Sequence, residues 1–252
     1  MKVMLGAKRP ASTAAPHLKF LSVGRSHVGA VRQLNEDAYC VRPGAGLWAV
    51  ADGMGGHARG DVASTRVIEA LDGVGRAASA YGFRDAVSRA VARANDELFQ
   101  AGGEGISGST LVTLLAHEGH YACLWAGDSR SYLYRGGVLK RLTSDHSEVQ
   151  ELVDAGVLAS EDAPRHPRAN VITRAIGARS RVKLDDVCGV LQVGDRFLLC
   201  SDGLHGAVND HLIGDMMRRA PLEWAAKSLI DLALAYGGRD NVTVVLVGVE
   251  AA

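Results

Sequence analysis

The sequence predicts an α+β fold in which antiparallel sheets carry helices on their outer faces. Two observations lead there. Strand-like segments cluster, helical segments cluster after them, and strands return near the C-terminus, without the strict alternation of a doubly wound parallel sheet. Aspartates also mark the ends of apolar runs. Gly46–Ala51 runs into Asp52, Tyr121–Gly127 into Asp128 and Arg196–Ser201 into Asp202, while Asp240 opens the run Val242–Gly248. If the strands ending at Asp202 and starting near Asp240 are antiparallel neighbours, both carboxylates reach one sheet edge.

Short runs rich in β-branched and aromatic residues, bounded by Gly or Asp, read as buried strands. They fall at about 19–27, 38–42, 46–51, 108–117, 120–127, 130–135, 137–141, 182–190, 195–200 and 242–249. Gly119, Gly136-Gly137 and Gly194-Asp195 read as hairpin turns. Helices are expected at about 59–72, 82–101, 145–155, 208–219 and 221–236. Within 82–101, Phe83, Ala86, Val87, Ala90, Val91, Ala94 and Leu98 recur at the spacing of one helical face. Asp145 is placed to cap a helix from His146, and Pro221 fits the first turn of the last helix. Residues 156–169 hold Pro164, His166 and Pro167 and are long enough for a mobile flap. Residues 1–17 are expected to be a mobile lead-in, and residues 18–252 a single domain.

The 252 residues are 47% hydrophobic and 22% charged, ordinary values for a chain with a real core. Lys+Arg and Asp+Glu balance at 28 each, which gives no electrostatic case for nucleic acid or an anionic membrane. No apolar run is long enough to span a bilayer, and the N-terminus has no secretory h-region. The cysteines at 40, 123, 188 and 200 form no CxxC pair and fit a reduced, cytoplasmic protein.

Several carboxylates on one sheet edge raise each other's pKa unless a cation neutralises them. Asp52, Asp128, Asp202 and Asp240 therefore predict a hard divalent metal site with more than one ion. All-oxygen ligands select Mg²⁺ or Mn²⁺ over zinc, and no Asp-x-Asp-x-Asp-Gly loop suggests calcium. Asp52-Gly53-Met54-Gly55-Gly56-His57 adds a glycine whose carbonyl can face a cation, but no P-loop Gly-Lys-Ser/Thr. Arg32 offers paired N–H donors that match phosphate. Ser109 and Thr110 are read as structural. His117, His120, His146, His166, His205 and His211 lack zinc spacing and are read as surface or cap histidines.

In these residues the chain resembles the metal-dependent Ser/Thr protein phosphatases of type 2C, in their bacterial form. The resemblance spans about residues 20–249. It rests on Arg32-x-x-Asn35-Glu36-Asp37-Ala38, Val50-Ala51-Asp52-Gly53-Met54-Gly55-Gly56-His57 with Gly60 and Ala63-Ser64, and Gly108-Ser109-Thr110. It continues through Ala126-Gly127-Asp128-Ser129-Arg130, Leu142-Thr143-x-Asp145-His146, Thr173-Arg174-Ala175-Ile176-Gly177, Leu199-Cys200-Ser201-Asp202-Gly203-Leu204 and Asp240-Asn241-Val242-Thr243-Val244. It implies a four-layer α-β-β-α sandwich, two central antiparallel sheets flanked by helix pairs. It further implies that Asp52 bridges two metal ions, that the Gly53 carbonyl binds one, and that Asp202 and Asp240 hold the other with Asp37 nearby through water. Asp128, with Asp202, is implied in a third, weaker ion that Asn170 approaches. Arg32 matches the phosphate-binding arginine and His57 the general acid. The implied reaction is hydrolysis of phosphoserine and phosphothreonine in proteins by a hydroxide bridging two Mn²⁺ or Mg²⁺ ions. The implied partners are a bacterial Ser/Thr kinase and its substrates, met by a cytoplasmic monomer. The intact aspartate set argues against a catalytically dead member of the fold.

Overall fold

Leu47–Ala51, Leu111–Ala116 and Val242–Val249 are buried throughout, so each of these strands needs cover on both faces. In the computed structural model, which describes residues 18–55, 60–101, 107–218 and 221–252, one face meets a second sheet and the other meets helices. The first sheet runs in the order β1 (Leu18–His27), β11 (Val242–Ala251), β10 (Arg196–Cys200), β7 (Arg130–Arg135), β8 (Val138–Arg141). The second runs β2 (Asp37–Arg42), β3 (Leu47–Gly55), β5 (Leu111–His117), β6 (His120–Ala126), β9 (Asp185–Val190), with β4 (Ser107–Ser109) on the end of β3. All strand pairs are antiparallel.

The period of two sorts each strand between layers. Trp48 and Val50 face Phe197, Val245 and Val247 between the sheets, and Phe20 meets Trp48 edge-on at 5.2 Å. Leu47, Ala49 and Ala51 face outward, under α1 (Gly60–Asp72) and α2 (Ala80–Ala101), where Val67, Phe83, Val87 and Val91 pack. On the opposite side Val244 and Leu246 meet α5 (Asp210–Arg218) and α6 (Leu222–Ala235) through Ile213, Met217 and Leu229. The expected α-β-β-α sandwich is the observed one.

The elements depart from expectation at a few points. The run 108–117 contains β4 and β5, whose common register places Thr110 opposite Asp52. Glu118-Gly119 and Gly136-Gly137 turn their hairpins with positive φ. Gly194-Asp195 does not close a hairpin, because β9 and β10 lie in different sheets; there Asp195 takes two hydrogen bonds of 2.7 Å from Arg135. Helix α3 (Glu148–Asp154) begins later than expected and is capped by Ser147, whose Oγ accepts from Gln150 N at 3.3 Å. Asp145 is no cap because Arg130 holds its carboxylate in a fork of 2.9 and 2.5 Å. The irregular stretch after α3 extends to Leu184, with one turn of 3₁₀ helix at Ala163–Arg165 and single bridges Ser147↔Ile172 and Ser109↔Ile176. Pro221 is the N-cap of α6. All four cysteines are free, three buried and Cys188 exposed. Among the described residues no helix is long and apolar enough to cross a membrane. The expected lead-in, residues 1–17, lies outside the described residues.

Candidate metal centre

The predicted carboxylates arrive on separate elements. Asp37 opens β2 directly opposite Asp52 of β3, so both side chains leave the same face of their sheet. Asp128 sits between β6 and β7. Asp202 opens the short helix α4 (Asp202–His205) just after β10, and Asp240 precedes β11. Because β10 and β11 are antiparallel neighbours, the end of one meets the start of the other.

Asp52 is clamped through its backbone. Its N–H donates to Thr110 Oγ1 at 3.0 Å, and its carbonyl accepts from Thr110 N at 2.8 Å and from Ser109 Oγ at 3.0 Å. Thr110 Oγ1 also shares a 2.7 Å hydrogen bond with Ser129 Oγ, next to Asp128. Gly127, at φ +105°, passes so near Thr110 that a methyl group would lie 2.7 Å from the threonine side chain. Ser109 and Thr110 thus tie Asp52 to the Asp128 turn, a positioning role that the sequence did not disclose.

Gly53 has a steric reason to be glycine: a Cβ would lie 1.9 Å from the Gly60 carbonyl at the start of α1. A methyl group on Gly60 would in turn lie 2.3 Å from Glu36 Oε1 and 2.8 Å from Gly53 O. The Glu36 carboxylate and the Gly53 carbonyl therefore converge on one point beside Asp52. Glu36 was assigned no role; its one signal was its place beside Asp37, on the alternate side of an extended chain.

Asn241 organises the loop that carries Arg32, Glu36 and Asp37. Its Nδ2 donates to Val28 O and Leu34 O, both at 2.9 Å, and its Oδ1 accepts from Glu36 N at 2.8 Å. Replacing it with Ala leaves three backbone groups without their partner. Asn241→Ala should lower kcat/KM by about ten- to a hundredfold through misplaced Arg32 and Asp37 and destabilise the fold by about 2–4 kcal/mol. Steady-state kinetics and a denaturant titration check both, and an unchanged kcat/KM with unchanged stability would refute the role.

Arg32 Nη2 donates to Asp240 Oδ2 at 2.8 Å. The two side chains are 49% and 36% exposed, so the pair is worth about 0–1 kcal/mol and its guanidinium is free to change partner. The histidines differ from expectation. His205 is half-buried and its Nε2–H donates to Asp128 O at 3.0 Å; loss of solvation pushes the imidazole down to about 3, so the donor is neutral. His146 Nδ1 accepts from Gly127 N at 3.1 Å, which leaves Nε2–H to donate to Asp185 at 3.1 Å. His117 is buried, without a hydrogen-bond partner for either ring nitrogen among the described residues. One buried histidine, His117, and two half-buried, hydrogen-bonded ones, His146 and His205, replace the expected surface ones at these positions.

The electrostatics set this edge apart. Burial first, then the neighbouring Asp202 and Asp240, push Asp37 up to about 7 against the pull of hydroxyl hydrogen bonds from Thr243 and Ser201. Burial and then Asp37, Asp202, Asp128 and Asp240 hold Asp52 well above the usual carboxylate range. Asp128 is pushed up to about 7 by burial and Asp202, and Asp202 to about 6 by burial and Asp240. Asp37 Oδ2 accepts from Ser201 Oγ at 2.7 Å, yet its buried Oδ1 has no partner. Among the described residues no three acidic, cysteine or histidine side chains close on one point as an assembled coordination shell would. The field is nevertheless that of a cation site: oxygen donors only, half-buried, mutually repelling, with a buried, orphaned carboxylate oxygen on Asp37. A divalent ion fits such a donor set.

A cleft of about 360 Å³ opens beside Asp128 and Asp202, with Ser147, Pro164, Asn170 and His205 on its walls. Asn170 therefore shares a cavity with both aspartates. His57 lies outside the described residues.

The protein phosphatase 2C profile matches residues 23–230. The serine/threonine protein phosphatase PstP of Mycobacterium tuberculosis is 40% identical over 230 residues, covering 89% of this chain and 44% of that protein. The chain thus spans less than half the length of that relative. PppA of Pseudomonas aeruginosa, a key regulatory component of T6SS, superposes with a TM-score of 0.85 at 41% identity, covering 92% of this chain and 98% of that one. The catalytic domain of PstP, solved in complex with two manganese ions, gives a TM-score of 0.84 at 36% identity, covering 93% and 100%. The chain belongs to the protein phosphatase 2C family.

Proposed function

We propose that the chain is a metal-dependent phosphatase that hydrolyses phosphoserine and phosphothreonine in proteins, opposing a bacterial Ser/Thr kinase. The observation that carries this function is the gathering of Asp37, Asp52, Asp128 and Asp202 on one half-buried edge with raised pKa values and Asp240 beside them. Asp52, Asp202, Asp240 and the Gly53 carbonyl, with Asp37 behind them, would hold two Mn²⁺ or Mg²⁺ ions. Asp128 and Asp202, with Asn170 on the cleft wall, would take a third. Bound there, the ions supply Lewis acidity that cancels phosphate charge and activates water. The two manganese ions of the PstP catalytic domain support that choice.

The chain's own residues supply the rest. Arg32 would exchange Asp240 for phosphate oxygens, matching them with its fork of N–H donors. Thr110, Ser109 and Asn241 hold the acidic loops in place, which limits the reorganisation needed when substrate binds. His57 would give its proton to the departing seryl or threonyl oxygen. No cysteine is poised as a competing nucleophile: burial pushes Cys40 and Cys123 up to about 12 and raises Cys200, and burial with Asp186 beside it raises exposed Cys188 as well. We read residues 18–252 as one catalytic domain, acting in the cytoplasm as a monomer. Chelation should reduce turnover of a phosphothreonine peptide by more than about a hundredfold, and Mn²⁺ should restore it. Full activity in metal-stripped protein would refute the mechanism.

A further inference from the structure

Past Asn170 the chain turns back along the second sheet, where Ile176 exchanges hydrogen bonds of 3.0 and 2.8 Å with Ser109, the residue that holds the Asp52 carbonyl. Between Thr173 and Lys183 this segment lines a groove of about 490 Å³ together with Glu151 of α3. Arg174, Arg179, Arg181 and Lys183 line it against that single acid. Arg174 is held by Asp185 Oδ1 at 2.7 Å. Arg179, Arg181 and Lys183 are exposed and, among the described residues, have no carboxylate partner. On the outer helices, by contrast, Arg66, Arg84, Arg89 and Lys227 each pair with an acid. In a chain of zero formal charge, this groove is a local cationic excess.

Helix α3 separates the groove from the carboxylate cleft. Val149, Gln150 and Val153 line the cleft, and Glu151 lines the groove. A helix with its side chains is about 10–12 Å across and an extended peptide advances about 3.3 Å per residue, so a straight crossing takes about three to four residues and a path that bends over the helix about one more. We propose that the groove formed by Arg179, Arg181 and Lys183 docks an acidic segment of the protein substrate, lying about three to five residues from the phosphorylated one. The proposal rests on the phosphatase function above and names the class of substrate it prefers. Such contacts exist in the ground and transition states alike, so they lower KM and leave kcat alone. They weaken as salt screens them.

The test uses the full chain and the charge-reversed variant Arg179→Glu/Arg181→Glu/Lys183→Glu. Two phosphothreonine peptides carry Glu or Gln at about three to five positions on either side of the phosphoresidue. At low salt the wild type should show a KM about tenfold lower for the Glu peptide, and the variant should lose or reverse that preference. Its kcat and its turnover of p-nitrophenyl phosphate should stay unchanged. Fluorescence anisotropy with the unphosphorylated Glu peptide reads the groove without any catalysis. Weaker binding by the variant supports the groove, even if the wild type hydrolysed nothing and the phosphatase function fell. Equal binding by wild type and variant, or tighter capture of a single-stranded oligonucleotide than of the acidic peptide, overturns the proposal.

Discussion

Asp52→Asn is expected to abolish turnover and, at the same time, to make the metal-free protein more stable. Asp52 is the most crowded carboxylate of the edge: burial and four acidic neighbours all oppose its charge. The amide keeps the shape of the side chain, and the Asp52 clamp runs through its backbone to Thr110 and Ser109, so the substitution leaves that clamp in place. What it removes is one charge of a crowded carboxylate edge and a side chain that would hold the metal ions of the proposed centre. If Asp52 holds those ions, its loss should lower kcat on the order of 10³-fold or more, about 4 kcal/mol of barrier. Loss of the charge should raise the melting temperature in chelator by about 2–4 °C for each kcal/mol of relieved repulsion. Saturating Mn²⁺ kinetics on a phosphopeptide and calorimetry in chelator measure the two. A variant with activity within tenfold of the wild type, or one that melts lower in chelator, would remove Asp52 from the centre of the site.

The layers and the acidic edge were legible in the sequence because both depend on short-range pattern. An apolar run such as Val242–Val249 announces a strand covered on both faces, and antiparallel pairing then brings Asp202 and Asp240 together without further information. The supporting residues were illegible because their partners are far away in the chain. Thr110 meets Asp52 across 58 positions, His205 meets Asp128 across 77, and Asn241 meets Glu36 across 205. Motif position marked Thr110 and Asn241 but not what they hold, and His205 had no local signal at all. Asp145 failed for another reason. Its capping signal was real, but Arg130 on a neighbouring strand offered a buried, forked ion pair, and a partner of that kind outcompetes a single helix N–H. Burial pushes Asp145 up, yet the Arg130 hydrogen bonds prevail and hold it below the usual range.

The metal-free protein is expected to gain stability as pH falls from about 8 to about 6.5, the opposite of ordinary acid sensitivity. Folded Asp37 and Asp128 titrate at about 7 and Asp202 at about 6, against about 3.9 for an unfolded aspartate. Between those limits the folded state binds more protons than the unfolded one, so stability falls as pH rises. Each raised carboxylate contributes stability that is fully present below about 3.9 and lost as pH climbs through its folded value. His205 and His146 work the other way. Burial lowers both, so their contribution is present above the unfolded value of about 6.5 and lost as pH falls further. The rise should therefore begin near pH 8 and steepen as pH passes about 7, with the histidines offsetting part of the further rise below about 6.5. Mn²⁺ should erase the trend, because a bound divalent ion stabilises the ionised carboxylates and competes with protons for them. Its stabilising effect should be largest at pH 8 and smallest near pH 5, in proportion to the carboxylates already deprotonated. Melting curves in chelator and in Mn²⁺ across that range measure both slopes. A melting temperature in chelator that stays flat or falls from pH 8 to 6.5 would mean that the half-buried edge carries no repulsion for a metal to relieve.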